Sequence, residues 1–262
     1  MMAVGKGEKR QGRVLLFGLL GALFLAATFQ GATAQTSLLA YVGAGLKSPA
    51  TELAQAYEKQ SGVRVEMILN SSGALLGQLE LCRKGDIYMP GGMPFVALAK
   101  KAGFIGEMVG PLAYHYPVII VPKGNPAHIS KVQDLARPGV RLILPDTEST
   151  ALGKSALKIF ANINLSAAIE KNVKAYVETG PKVPMTIMLG QGDAGIAEFS
   201  DAAKHSASLE MVDIDPAVNV VDEIPCALLT CSAQPAAARE FLRFMKANGA
   251  AVFAKHGFKT QL

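Results

Sequence analysis

The sequence predicts an α/β protein in which mostly parallel sheets are covered by helices. Short apolar runs of strand length alternate along the chain with longer segments of helical periodicity. Gly and Pro stand at most of the boundaries between these segments. Repeated strand–helix units of this kind build largely parallel sheets, because a parallel neighbour requires a crossover connection that is usually a helix.

The first half of this pattern contains three strand–helix units. The strands are predicted at SLLAYV, VRVEMIL and DIYM. The first helix, SPATELAQAYEKQSG, is predicted to start with Ser48 as N-cap and Pro49 in its first position, and to end before Gly62. The second helix, SSGALLGQLELCRKG, is closed by Gly85, and the third, PFVALAKKAGF, is short.

The second half continues the alternation. Further strands are predicted at YPVIIVPKG, VRLILPD, VKAYVE, DAGIAEF, ASLEMVDI and IPCALLTC. Helices are predicted between them at KVQDLARPG, TALGKSALKIFANI and VPMTIMLGQG. The final segment, PAAAREFLRFMKANGAAVFAKHGF, is predicted to form two helices that break at Gly249, because Gly is a poor helix former.

The N-terminus has the pattern of a secretory signal peptide, predicted over residues 1–34. Basic residues precede an apolar run from Val14 to Phe29, and small residues favour cleavage after Ala34. The run is shorter than the roughly 20 apolar residues of a membrane span, although an anchor is the alternative. We therefore expect an exported, periplasmic protein.

Removal of this leader would also remove most of the net positive charge. The whole chain carries +5, from 26 basic and 21 acidic residues, and residues 1–34 contain four of the basic and one of the acidic ones. The basic residues that remain are scattered, and Trp is absent. We therefore expect no nucleic-acid partner.

The three cysteines are Cys82, Cys226 and Cys231. The last two lie along one predicted strand and its exit, where an extended backbone separates them beyond the ~7 Å Cα limit of a disulfide. We therefore expect buried thiols, with a turn that pairs the two as the alternative. No Cys or His spacing resembles a zinc site.

Three strand-to-helix junctions share one chemistry. The segments YVGAGLKSP, ILNSSGALL and LPDTESTALGKS each offer small residues, hydroxyls and free first-turn amides. A helix start presents unsatisfied N–H groups and a partial positive charge, so it receives anions. The alternative is that Ser72 and Thr150 are ordinary N-caps. Three similar junctions in one exported α/β protein favour an anion site.

In their order and spacing, these segments resemble the periplasmic solute-binding proteins of ABC importers, and among them the molybdate/tungstate-binding proteins. The resemblance is carried by LLAYVGAGLKSPATELAQAYEKQSGVRVE, SSGALLGQLELCRKGDIYMPGG, PVIIVPKGNP, DLARPGVRLILPDTESTALGKSAL, GQGDAGIAEFSDA and FLRFMKANGAAVFAKHGF. It implies a two-lobed fold (type II-like) with the ligand cleft between the lobes. Lobe 1 would comprise 35–115 and 226–262, and lobe 2 would comprise 116–225.

The resemblance also implies a function. The protein would be a monomer without a cofactor that captures molybdate or tungstate and delivers it to a membrane permease. An enzyme on this scaffold is less favoured, because no nucleophile with its base and no open metal site is recognisable. The main alternative is a binder of another small anion, such as a sulfate-like, phosphate-like or organic one.

The resemblance assigns three contacts to the junctions. Gly45 stands where the family usually has a Ser, so only its backbone amide remains for the anion. Ser72 matches a ligand-binding Ser of the family in a Ser-Ser run. The third contact falls on the helix-start amide of Ala151 or Leu152, with Thr150 close by.

Two further contacts are assigned to lobe 2. One is the backbone amide of Val183, and the other is Glu198, which replaces a Tyr of many bacterial relatives. A carboxylate repels a dianion, but some relatives use a Glu as a direct metal ligand. Glu198 is therefore a ligand to the molybdenum or tungsten of the oxyanion, a protonated hydrogen-bond donor, or the partner of a cation such as Lys47 or Lys154.

Overall fold

The computed structural model describes residues 37–262, so the predicted signal peptide lies outside the described residues. Within this range, ten strands form two five-stranded sheets, and there are eight α-helices. No helix of the described range is both long and apolar enough to cross a membrane.

The first sheet and its helices are built from both ends of the described chain. They comprise β1 (Ser37–Gly43), α1 (Lys47–Ser61), β2 (Arg64–Asn70), α2 (Ser72–Cys82), β3 (Ile87–Met89), α3 (Met93–Lys101), β4 (Ile105–His115), β10 (Asp222–Leu229) and α8 (Pro235–Lys255). A short 3₁₀ turn, Ala44–Leu46, joins β1 to α1.

The second sheet and its helices come from the middle of the chain. They comprise β5 (Pro117–Pro122), β6 (Leu142–Pro145), α4 (Ala151–Asn162), α5 (Ser166–Glu170), β7 (Val173–Val177), α6 (Lys182–Met188), β8 (Ala194–Glu198), α7 (Phe199–Lys204) and β9 (Leu209–Val212). A 3₁₀ helix, Val132–Ala136, lies between β5 and β6.

The two sheets have the same arrangement. The strand orders are β2-β1-β3-β10-β4 and β7-β6-β8-β5-β9. In the first sheet only β10 runs against the other four strands, and in the second only β5 does so. The prediction of a two-lobed α/β fold with mostly parallel sheets is therefore confirmed.

The chain crosses from the first sheet to the second at Tyr116, between β4 and β5. It is back in the first sheet at Asp222, where β10 begins to pair with β4. Residues 222–225, which the resemblance assigned to lobe 2, thus belong to β10 of the first sheet. The lobe boundaries as such stay a prediction.

Two predicted helix boundaries are wrong. The first helix begins at Lys47 rather than after Ser48, because the 3₁₀ turn winds directly into it. The last helix continues through Gly249 without a break. A Cβ atom on Gly249 would lie 2.8 Å from Leu112 Cδ2, so this Gly permits close packing of α8 on β4.

The strand β4 was not predicted from the sequence. Its segment IGEMVGPLAYH contains Gly110-Pro111, which has the appearance of a strand breaker. In the structure the register between β4 and β10 shifts between Ile224 and Cys226, opposite this dipeptide. The irregularity accommodates both residues without ending the strand.

All three cysteines are free thiols, as expected. Cys226 is buried, and burial raises the pKa of its thiol to about 12. Cys231 is half-buried and Cys82 is exposed, so the expectation of buried thiols is met only by Cys226.

Candidate functional site

A cavity of about 40 Å³ lies between the two sheets. It is found where β1, β2, β6 and β8 end, which is the carboxyl edge at which α/β sheets bind ligands. All three predicted junctions contribute to its wall. The predicted site residues that line it are Gly45, Ser72, Thr150, Ala151, Leu152 and Glu198.

The lobes touch each other beside this cavity. The Gly73 N–H in the first turn of α2 donates a hydrogen bond of 2.7 Å to the Ser149 carbonyl, just before α4. A Cβ atom on Gly73 would lie only 2.9 Å from Ser149 Cα. The structure is therefore a closed form in which one helix start rests on the loop that leads to another.

Ser72 is the first residue of α2 and not its N-cap, a position held by Ser71. The N-cap interpretation of Ser72 is therefore wrong. Its side chain is buried, and its Oγ accepts a 3.0 Å hydrogen bond from the Gly91 N–H. Among residues 37–262 the hydroxyl proton has no acceptor. Because Ser72 also lines the cavity, its hydroxyl is available to donate to a ligand.

Thr150 is the N-cap of α4, and its hydroxyl is fully used. Its Oγ1 accepts from the Gly153 N–H at 2.9 Å and donates to the Asp146 carbonyl at 2.6 Å. A hydroxyl has only one proton to donate. The N-cap interpretation is therefore confirmed for Thr150, although the residue lies in the cavity wall.

We expect Thr150→Ala to lower the free energy of unfolding by about 1 kcal/mol, because it removes the cap. Anion affinity should change little, since the lost proton already bonds to Asp146. Chemical denaturation and calorimetric titration of the same variant measure the two quantities. Thr150→Ser should restore stability. A large loss of affinity in the Ala variant, reversed by Ser, would instead show that this hydroxyl contacts the ligand.

The amides of Ala151 and Leu152 begin α4. The first N–H groups of a helix have no partner within it, and of those in this turn the Gly153 N–H is taken by the Thr150 cap. Within the described part of the chain no acceptor is found for the other two N–H groups. Both residues line the cavity, so α4 offers two free donors at its positive end.

Gly45 lies in the 3₁₀ turn of the first junction and also lines the cavity. A Cβ atom at this position would lie 3.9 Å from Pro181 Cδ across the cleft, which is ordinary contact distance. The wall formed by lobe 2 at this point consists of Thr179, Gly180 and Pro181.

The structure does not bring Val183 to the cavity. Its side chain is fully buried among the apolar residues between α6 and the second sheet. Its N–H donates to the Gly180 carbonyl at 3.0 Å and is not free. The preceding turn, and not Val183 itself, forms the cavity wall.

Glu198 ends β8 and is almost completely buried, with 4% of its surface exposed. Its Oε2 accepts a 3.0 Å hydrogen bond from the Tyr116 N–H and lies against His115 Nδ1. This second contact is an ion pair when His115 is protonated. The Oε1 atom has no hydrogen-bond partner among the described residues.

The predicted pairing of Glu198 with Lys47 or Lys154 is wrong, because its charged neighbour is His115. Lys154 instead pairs with Glu148 at 3.7 Å. His115 is partly buried, lies next to the crossover at Tyr116 and also lines the cavity.

Burial raises the pKa of Glu198, because the charged form loses its hydration, and His115 only partly opposes the shift. Burial acts to lower the pKa of His115, but the nearby carboxylates, Glu198 first among them, outweigh it and raise the pKa overall. The pKa values of both groups are therefore higher than they would be in water.

Sequence reasoning missed Asp201 as a cavity residue. It lies in the first turn of α7, lines the cavity and bonds to Lys204 Nζ at 3.2 Å. Asp146 lies nearby in the turn before α4, where its Oδ1 accepts from the Ser149 N–H at 2.7 Å, and it is not part of the cavity wall. Asp201 could have been predicted from its position three residues after Glu198, because residues one helical turn apart lie on the same face.

The predicted role of Glu198 as a metal ligand has no ligand cluster to support it. No group of three or more His, Cys, Asp or Glu side chains within residues 37–262 is arranged to hold a metal ion. A single carboxylate contact to the metal of a bound oxyanion stays a prediction.

Comparison with known proteins finds a matching family and relatives that are named as binding proteins. Residues 38–259 match the family described as bacterial extracellular solute-binding protein. A putative binding protein of Haemophilus influenzae is 26% identical over 84% of this chain and 90% of its own length. The molybdate-binding protein ModA of Mycobacterium tuberculosis is 26% identical over 80% of this chain and 79% of its own length.

Solved structures share the fold. The sulfate-binding protein SubI of Mycobacterium tuberculosis has a TM-score of 0.75 at 21% identity and covers 85% of this chain and 86% of its own. The periplasmic molybdate-binding protein of Azotobacter vinelandii has a TM-score of 0.71 at 15% identity and covers 86% of this chain and all of its own. At such identities the likeness extends to the two-lobed fold alone.

Proposed function

The chain belongs to the family of bacterial extracellular solute-binding proteins, and from this premise we propose that it captures a small oxyanion in the cavity between its lobes. Molybdate and tungstate are the proposed cargo, delivered to the membrane permease of an ABC importer. The protein acts as a periplasmic monomer, exported by its signal peptide, and not as an enzyme. It binds its cargo without a cofactor.

One observation carries the proposal: free hydrogen-bond donors from both lobes line one cavity. The donors are the Ser72 hydroxyl and the amides of Ala151 and Leu152. Among the described residues, no Lys or Arg side chain lines the cavity. Directed dipoles of this kind suit a small oxyanion that has lost its hydration shell.

Relatives named as molybdate-binding proteins support the choice of cargo, since their similarity covers most of the chain. The same donors would also serve other tetrahedral anions. The unpartnered Oε1 atom of Glu198 favours a second candidate, a phosphate-like anion that carries its own proton. An ionised carboxylate accepts a hydrogen bond from such an anion and repels a fully deprotonated one.

We expect molybdate and tungstate to raise the melting temperature of the mature protein, because a ligand that binds only the native state stabilises it. A thermal-shift panel at equal ionic strength measures this, with chloride as the salt control and sulfate and phosphate as competitors. If only sulfate, phosphate or an organic anion stabilises the protein, the proposed cargo is wrong and the binding fold remains.

A further inference from the structure

We propose that Glu198 binds the oxyanion as a neutral carboxylic acid that donates from Oε1, so that capture of a dianion carries a proton into the cavity. This inference rests on the proposed function, because it describes how the same cavity meets the charge of its cargo.

The hydrogen-bond geometry of Glu198 assigns its two oxygens different roles. Oε2 accepts from the Tyr116 N–H and lies against His115, so it already acts as the acceptor oxygen of the group. Oε1 is buried, belongs to a residue of the cavity wall, and has no partner among the described residues. Buried polar atoms rarely stay without partners. A proton on Oε1 turns this orphaned atom into a donor, and an anion oxygen is the acceptor it lacks.

The charges around the cavity favour the same arrangement. Two carboxyl groups, Glu198 and Asp201, belong to its wall, whereas no Lys or Arg in the described range does. An ionised Glu198 beside a dianion would repel it in a poorly hydrated space. Protonation removes this repulsion and adds a donor. The neutral acid then donates a hydrogen bond to the anion, as a hydroxyl group would at the same place.

The titratable groups near Glu198 come from four other elements. They are His115 on β4, Asp201 on α7, Asp222 on β10 and Lys259 in the segment after α8. His115 touches the carboxyl, and Asp201 adds negative charge that raises the pKa of Glu198 further after burial. Burial likewise raises the pKa of Asp222. Lys259 is directed to the Tyr116 ring, 3.6 Å from its centroid. Apart from His115 and Lys259, these neighbours are carboxyl groups.

The sign of the pH dependence follows from linkage. If the complex holds one more proton than the free protein, binding strengthens as the pH falls and weakens as it rises. The affinity should then drop by about tenfold per pH unit wherever the free protein has lost that proton. Binding of a fully deprotonated anion to an unchanging site would show no such slope.

The experiment is calorimetric titration of the mature protein with molybdate at about pH 6, 7 and 8, in buffers of different ionisation enthalpy. We expect uptake of about one proton per anion by the wild type. Glu198→Gln cannot take up a proton at this position, so it should bind molybdate without proton uptake and without the fall in affinity between pH 6 and 8 that the wild type shows. Glu66→Gln, which removes an exposed carboxylate on β2, is the matched control and should behave as wild type.

A second measurement does not depend on the folding of a variant. Infrared difference spectra of the wild type should show the carbonyl stretch of a protonated carboxylic acid when molybdate is added, and Glu198→Gln should lose this band. If the wild type shows this band, the proposal is supported even when Glu198→Gln does not fold.

Four results would overturn the inference. Molybdate binding without proton uptake or infrared band would show that Glu198 does not donate. A severe loss of affinity in Glu198→Gln at every pH would indicate direct ligation to the metal. Tighter binding of phosphate than of molybdate, lost in Glu198→Gln, would show an ionised acceptor. No binding of molybdate or tungstate by the wild type would overturn the proposed function as well.

Discussion

Gly73→Ala should weaken molybdate binding by about 1–3 kcal/mol, the usual cost of an overpacked contact, which is roughly five- to 150-fold in the dissociation constant. The added Cβ would lie 2.9 Å from Ser149 Cα and 3.2 Å from its Cβ. These atoms belong to the other lobe, so the clash arises only when the lobes close. In the open form expected of a hinge-bending binder, the methyl group would meet only Phe95 Cε1 of the same lobe, 3.3 Å away, so the unfolding free energy should change much less than the binding free energy.

Gly77→Ala provides a matched control on the same helix. A Cβ atom at this position has no neighbour within 4 Å, and Ala is the better helix former by about 1 kcal/mol. This variant should be slightly more stable and should bind as wild type does. Calorimetric titration and chemical denaturation of both variants test the expectation. Wild-type affinity in Gly73→Ala would mean that closure of these two segments is not needed for binding.

Ser72→Ala is the second change with a large expected effect. It removes a donor to a charged ligand, which should cost about 1.5–3 kcal/mol of binding free energy. It also leaves the Gly91 N–H without its acceptor, so the unfolding free energy should fall by about 1 kcal/mol. Titration with molybdate and denaturation of the ligand-free variant separate the two effects.

Thr150→Ala is the natural comparison for Ser72→Ala. Both hydroxyls lie at helix starts in the wall of one cavity, but the proton of Thr150 is held by the Asp146 carbonyl and that of Ser72 is free. Only Ser72→Ala should lose affinity. Equal affinities in the two variants would mean that the Ser72 hydroxyl supports the loop at Gly91 and does not contact the anion.

Much of the site could be predicted because helix starts are encoded locally. A Ser or Thr followed by an apolar helical pattern identifies free amides, and the three junctions identified this way do line one cavity. Which hydroxyl keeps a free proton could not be predicted. That depends on whether a carbonyl such as that of Asp146 lies within reach, and the loop path decides this.

The sequence by itself determined the alternation of strands and helices, the two mostly parallel sheets and the helix starts at their carboxyl edges. These features follow from hydrophobic periodicity and backbone chemistry, which act between residues close in the chain. Only the tertiary structure decided that Glu198 meets His115, 83 positions away, and leaves Oε1 without a partner among residues 37–262. It also decided that Asp201 enters the cavity and Val183 does not. The physical reason is that the packing of distant elements, which no local pattern encodes, sets which side chains face each other across the cleft.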